Sequence, residues 1–409
     1  MTPKILVIGT FDTKEPELGF LLEKITEAGG EAISMDVSVL GDTSLPIQIS
    51  KEDVAKAAGK SIKDVQTAAD ENHAMQIMAT GASLEAARLV ANGGVQAMIA
   101  LGGTMGTDLA LDVANALPLG VPKIIVSTVA FSPLLPTDRI PPDAQMVLWA
   151  GGLYGLNALC KSTLSQAAGA AVGAARSATG LNFDKPLIGM TSLGSSALTY
   201  MKKLLPPLQE RGFDVAVFHS TGMGGRAFET LAAAGKFCCV MDFCGQELAN
   251  AVHGSLVTAG DDRMLSAGRN GTPQMLAAGC SDFVDVPEWS DHGDKWKDHP
   301  YHAHNRLIGS YVLTSEERDK VAKEFATRAA SATSPTQVFI TEGGIVEWDR
   351  EGEPGYNPEG LASFNNTLKN SDFGEASVET LSCHIGDQEF ADKVIEKFDQ
   401  WVEQGIVKP

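Results

Sequence analysis

The chain has 409 residues, 32 basic and 51 acidic, for a formal net charge of −19. At 44% hydrophobic and 20% charged it has the composition of a globular protein with large cores, not of a disordered chain. The acidic excess and the absence of any Lys/Arg run speak against nucleic-acid binding, because a polyanion needs a basic face.

The amino-terminal run Ile5-Leu-Val-Ile8 is too short for a signal peptide. No uncharged apolar stretch approaches the ~18 residues that a membrane span needs. Six cysteines without a CxxC pair read as reduced thiols. The expectation is a soluble cytoplasmic protein with no membrane partner.

Short apolar runs then alternate with amphipathic segments. Lys4–Ile8 reads as a buried strand. Glu15–Ala28 reads as a helix, with Leu18, Leu21, Leu22 and Ile25 on one face and Gly29-Gly30 as its stop. Glu31–Val37 is a second strand, and one long helix is predicted over 65–91. Gln96–Leu101 is a strand, Thr107–Ala116 a helix and Val121–Val126 a strand. Trp149–Ser177, rich in Gly and Ala, reads as a close-packed helix that suits an interior or a homodimer contact.

The Gly, Asn, Asp and Pro of residues 179–186 mark a linker. The alternation then restarts. Strands are expected at 187–190, 214–218, 237–241, 308–313, 337–340 and 378–383, and helices at 195–210, 225–233, 246–252, 315–330 and 387–403. Thr314-Ser-Glu-Glu317 reads as a capped helix start. Strands alternating with helices imply parallel pairing through right-handed crossovers. The fold class expected is α/β, with two doubly wound, Rossmann-like parallel-sheet domains (1–180 and 181–409) and a ligand cleft between them. Gly103–Ala110 and Gly222–Glu229 have similar layouts and suggest an internal echo.

Four polar or glycine-bearing turns follow expected strands: Gly9-Thr-Phe-Asp-Thr-Lys14, Gly102-Gly-Thr-Met-Gly-Thr-Asp108, Thr191-Ser-Leu-Gly-Ser-Ser196 and His219-Ser-Thr-Gly-Met-Gly-Gly-Arg226. Ligands of open α/β sheets bind beyond the carboxyl ends of strands, where helix amino termini attract anions. None of the four is a Walker A loop or a GxGxxG turn. The signal is their convergence, and the Asp12-Thr13-Lys14 trio is the richest in functional groups.

The order of these turns, with Ala259-Gly-Asp-Asp-Arg263 and His304-Asn305, resembles the UPF0261 family, also called Tm-1-like ATP-binding proteins, over nearly the whole chain. The resemblance implies two Rossmann-like subdomains, ATP bound mainly in the first, frequent homodimers, and relatives joined to a TIM-barrel domain, hence a possible TIM-barrel partner protein. Carried over by motif, Thr10, Asp12, Thr13 and Lys14 would line the nucleotide pocket, with Gly102, Gly103, Thr104 and Thr107 on the adjoining turn.

The first functional reading is an ATP- and Mg²⁺-dependent enzyme acting on a small acidic metabolite. Arg226, Arg263 and His304 would hold the metabolite's carboxylate or phosphate, and Asp242 with Asp261 would suit Mg²⁺. The second is a non-catalytic nucleotide-binding module. The third is a metal-dependent lyase or hydrolase built on residues 285–305, which hold four of the eight histidines (His292, His299, His302, His304). In that segment a substrate-closing loop, with His304 in acid–base or anion contact, is favoured over a metal site.

Overall fold

The computed structural model describes residues 2–181, 183–194, 198–353 and 355–408. The chain divides into two compact units, residues 1–182 and 183–409. In the first, the order is β1 (Lys4–Gly9), α1 (Glu15–Glu27), β2 (Glu31–Asp36), α2 (Lys51–Ala57), α3 (Ile62–Gln66), α4 (Glu71–Ala91), β3 (Ala97–Gly102), α5 (Thr104–Ala116), β4 (Lys123–Ser127), β5 (Ala144–Leu148) and α6 (Ala158–Ser177). All five strands are parallel, in the order β2-β1-β3-β4-β5.

β1, β3 and β4 are apolar on both faces because helices cover the sheet twice. On one face Leu6, Ile8, Met98 and Ile125 meet α4 and α5 through Met78, Ala82 and Val113. On the other, Ile5, Val7, Ile99 and Val126 meet α1 and α6 through Leu18, Leu21, Leu164 and Ala168. The Gly/Ala-rich stretch is a buried packing helix only over Ala158–Ser177; residues 149–157, expected in the same helix, are not helical, because the glycines at 151, 152 and 155 turn the chain before Asn157 caps the helix.

The helix expected over 65–91 is two helices. Asp70 leaves helical geometry (φ −158°) and its carboxylate accepts the His73 amide at 2.7 Å, capping a new start. The continuous apolar pattern hid that break. β5 escaped the sequence reading because it is a half-exposed edge strand close behind Pro141-Pro142.

The second unit runs β6 (Leu187–Ser192), α7 (Tyr200–Glu210), β7 (Asp214–His219), α8 (Met223–Ala233), β8 (Cys239–Asp242), α9 (Gln246–Val252), α10 (Ser266–Arg269), β9 (Gln274–Ala277), β10 (Phe283–Pro287), β11 (Tyr301–Ala303), β12 (Ile308–Val312), α11 (Ser315–Ala330), β13 (Thr336–Thr341), α12 (Pro358–Lys369), β14 (Ser377–Leu381) and α13 (Gln388–Glu403). Its six-stranded parallel sheet is ordered β14-β13-β9-β8-β6-β7. Read from β7, this is the first unit's order with one strand added. The expected strand at 308–313 belongs elsewhere, as the centre of an antiparallel β10-β12-β11 sheet inserted after β9. The start of α11 is the expected one, with Thr314 and Glu317 in a reciprocal capping box.

The two turns suggested as an echo are not equivalent. The first follows β3, the middle strand of its five-stranded sheet, whereas the second follows β7 at a sheet edge. The counterpart of β3 is β8. Among the described residues no helix is long and apolar enough to cross a membrane.

Candidate functional site

In the first unit the winding reverses between β1 and β3, so the turns leaving these strands splay apart. A cavity of about 970 Å³ opens there. That is the size of a small-molecule site. Its polar wall holds Thr10, Asp12, Thr13 and Lys14 from the β1 turn and Gly102, Gly103 and Thr104 from the β3 turn. Met105, Gly106 and the segment 150–154 complete that side. Val37, Val39, Val65, Ala68 and Met75 add an apolar lining, interrupted by Gln66, Asp70 and Glu71.

The β1 turn is held from β2. The buried Asp36 carboxylate accepts the Phe11 amide at 3.2 Å and the Ser38 amide at 2.9 Å, and Ser38 Oγ accepts the Asp12 amide at 3.1 Å. One Asp12 oxygen accepts the Gly41 amide at 3.0 Å, while Oδ1 is buried and has no hydrogen-bond partner among the described residues. The Thr10 and Thr13 hydroxyls lie 2.9 Å apart, and Lys14 Nζ donates to Thr13 at 3.3 Å.

The β3 turn enters the 13-residue α5, whose first turn carries no acidic residue. The α1 start beside it carries Glu15 and Glu17. An anion is therefore better received at α5. The two glycines differ in cause. A Cβ on Gly102 would come within 2.5 Å of Gly106, so that glycine lets α5 fold back onto β3. A Cβ on Gly103 would meet only Thr128 Oγ1 at 3.8 Å, and its φ of −75° is open to any residue. Among the described residues no contact requires a glycine there. Thr107 is not in the cavity wall. It is fully buried, and its hydroxyl lies 2.7 Å from Ser127 Oγ, tying α5 to β4.

The second unit deals differently with its candidate residues. Arg263 is fully buried among three carboxylates. It donates to Asp242 at 2.8 Å, Glu247 at 2.8 Å and Glu229 at 3.3 Å. Asp242 also accepts the Thr191 hydroxyl at 2.7 Å. Burial pushes the Glu229 and Glu247 carboxyls upward, against the pull of Arg263. Glu247 further accepts the Gly222 amide at 2.6 Å and the Gly225 amide at 3.0 Å. The glycine turn at 219–226, read as an anion cradle, thus already holds a carboxylate of the chain. Arg226 forms a two-pronged pair with Asp262, at 2.6 and 2.8 Å. The backbone carbonyl of Asp261 accepts from Arg328 at 2.9 Å. The Thr191–Ser196 turn falls partly on residues 195–197, outside the described residues.

The four histidines of residues 285–305 have separate partners. His292 faces Tyr311 Oη at 2.9 Å, His299 faces Glu317 at 2.8 Å, and His304 faces Ser310 Oγ at 3.0 Å. The His302 ring lies against His304 and Trp348. Among the described residues no group of three or more His, Cys, Asp or Glu is arranged to hold a metal ion.

Sequence reading missed the apolar lining, Asp36 and the 150–154 segment. Asp36 was visible at a strand end. The Gly151-Gly152 turn would have been noticed had β5 been found.

Residues 3–180 match the model of the uncharacterised protein family (UPF0261) N-terminal domain, and residues 185–402 match that family's C-terminal domain. A UPF0261 protein of Brucella melitensis is 50% identical over 406 residues, covering 99% of this chain and 97% of the relative. One from Clostridium tetani is 33% identical over 408 residues, covering 99% of this chain and all of the relative. The ToMV resistance protein Tm-1(GCR237) of Solanum lycopersicum is 27% identical over 97% of this chain, which spans 55% of that longer protein. Among solved structures, a thioesterase domain from the curacin biosynthetic pathway aligns with a TM-score of 0.27 and 10% identity, over 52% of this chain and 91% of that one, too slight a likeness to bear on function. With both family models matched in sequence order and two relatives aligned along nearly their full lengths, the chain belongs to the UPF0261 family.

Proposed function

We propose that the first unit binds a nucleoside triphosphate, ATP by the family resemblance, as its magnesium complex. The observation that carries this reading is the α5 amino terminus opening on the cavity beside Gly103, a glycine that no contact among the described residues requires. Phosphate oxygens would meet unpaired amides and the positive helix end there. Lys14 adds a mobile cation, and the lining of Val37, Val39 and Met75 suits a purine face. The residues also fit magnesium. Asp12 Oδ1, unpartnered among the described residues, and the Thr10 and Thr13 hydroxyls supply hard oxygen donors, and the ion would neutralise phosphate charge.

In this reading the triphosphate serves a reaction on a small acidic metabolite, by transfer, ligation or hydrolysis. Metabolite-stimulated ATP turnover is its signature, and a non-catalytic nucleotide module would show none. Binding itself is tested by thermal unfolding with and without magnesium–ATP. Free nucleotide at a hundredfold excess over Kd stabilises by about 2.7 kcal/mol through mass action. The unfolding temperature rises in the parent and rises much less in Lys14→Ala, whose stability without ligand is unchanged. An identical response of both proteins, or no response in either, refutes the site.

A further inference from the structure

The antiparallel insertion of the second unit carries a polar relay that the nucleotide reading leaves unused. Register places Asp285 of β10 opposite Ser310 of β12, and Ser310 opposite His302 of β11. Directly paired residues share a sheet face. His304 lies two residues beyond His302, so it returns to that face. Trp348, in the turn after β13, covers it. Its ring stacks on Phe283 at 5.6 Å and on His304 at 4.9 Å, and meets His302 at 4.6 Å. β10 begins shortly after the carboxyl end of β9, and Trp348 shortly after that of β13. The relay therefore belongs to the edge of the parallel sheet where such folds place their chemistry.

The hydrogen bonds define a proton arrangement. Ser310 Oγ lies 2.5 Å from Asp285 Oδ1 and 3.0 Å from His304 Nε2. A hydroxyl has one proton to donate, and a carboxylate only accepts. Ser310 therefore donates to Asp285 and accepts from His304 Nε2–H. Neutral His304 then carries its lone pair on Nδ1. Partial burial against Trp348, and then His302, lower the His304 pKa. Asp285 is buried, whereas His304 is exposed. Asn305 serves the hairpin, its Oδ1 accepting the Leu307 amide at 2.8 Å.

We propose that His304 is a catalytic base at a second site, with Nδ1 accepting the proton of a hydroxyl nucleophile (water or a substrate alcohol) that attacks a carbonyl compound. Ser310 and Asp285 are positioning residues that hold the tautomer, and Trp348 holds the ring plane. In the step, Nδ1 takes the hydroxyl proton as the oxygen electron pair forms the bond to the carbonyl carbon and the C=O π pair moves onto the carbonyl oxygen, from which it returns to expel the leaving group. The carbon–leaving-group bond then breaks with its electron pair, and the proton passes from Nδ1 to the departing group. Nothing in this requires the nucleotide site.

Two measurements on the full chain test the site. The first is nitrogen NMR of isotope-labelled histidine at neutral pH, with the His304 signal identified by its loss in the surface variant His304→Gln. The parent shows a protonated Nε2 and an unprotonated Nδ1, and Ser310→Ala shows a mixture of tautomers. The second is cleavage of p-nitrophenyl acetate, a small activated ester. General-base contributions of about a hundredfold are typical, so His304→Gln is expected to lose at least about tenfold of the activity. Ser310→Ala loses less, mainly in kcat, Ser310→Thr restores the loss, and the remote control His73→Gln is unchanged. A parent protonated on Nδ1, or ester cleavage undiminished in His304→Gln, overturns the proposal.

Discussion

Two helices of this protein begin at glycine-bearing turns after parallel strands, yet their amino termini have opposite surroundings. The first turn of α5 has no acid and opens on a cavity of about 970 Å³. The turn into α8 is closed by Glu247, which accepts the Gly222 and Gly225 amides. The same local chemistry faces an open cavity in one unit and makes an internal clasp in the other. A helix amino terminus attracts an anion, and the fold decides whose anion it is.

The clasp carries the largest expected effect. Arg263→Leu leaves Asp242, Glu229 and Glu247 buried without their cation. Breaking such a buried cluster costs about 3–5 kcal/mol, read as a lower denaturant midpoint. If the variant unfolds like the parent, the cluster does not hold the second unit together.

The second unit's buried acids also give it a pH signature. Burial pushes the Asp285 carboxyl from its usual 3.8 up to about 6, while Ser310 pulls it down. The folded state therefore binds this proton more tightly than the unfolded chain does. Stability present below pH 3.8 is lost as pH rises towards 6. Asp285→Asn does not titrate, so from acid to neutral pH the parent should lose up to about 3 kcal/mol relative to the variant. Parallel stability curves for the two proteins would contradict the raised carboxyl.

Glu247→Gln keeps an acceptor for the α8 amides but removes the charge facing Arg263. A loss of about 1–3 kcal/mol is expected by thermal unfolding. A neutral outcome would mean that the amides alone hold the clasp.

A pair of substitutions sharpens the contrast at α5. Gly102→Ala drives a Cβ into Gly106 and should cost about 1–3 kcal/mol of stability. Gly103→Ala meets no atom of the described residues closer than 3.8 Å, so the fold should stand while magnesium–ATP affinity, measured by calorimetry, falls about tenfold. Equal effects of the two substitutions on stability would remove the distinction between a packing glycine and a ligand-facing one.

Much of the architecture was legible because it rests on local periodicity. α9 and α11 lie where apolar spacing and caps put them, and β1, β3 and β4 were visible as runs apolar on both faces. β5, β9, β10 and β11 were missed. β9 is a four-residue strand without a pattern of its own, β5 is a half-exposed edge, and β10 and β11 belong to an antiparallel insertion that interrupts the alternation. Of the nucleotide residues expected from the motifs, Thr10, Asp12, Thr13, Lys14, Gly102, Gly103 and Thr104 share the cavity wall, and Thr107 lies behind it. The ion pairs of Arg226 and Arg263 were not legible. Their partners stand 36 residues away for Asp262, and 16 to 34 residues away for Glu247, Asp242 and Glu229.

The order of residues by itself determined the alternation of strand and helix, the glycine turns at strand ends and the capped helix starts, because each depends on neighbours a few positions apart. Tertiary structure alone decided which turn faces an open cavity and which is filled by Glu247, and it alone aligned Asp285, Ser310 and His304 into one relay. Those outcomes depend on strand order and register, which bring together groups that the chain keeps apart.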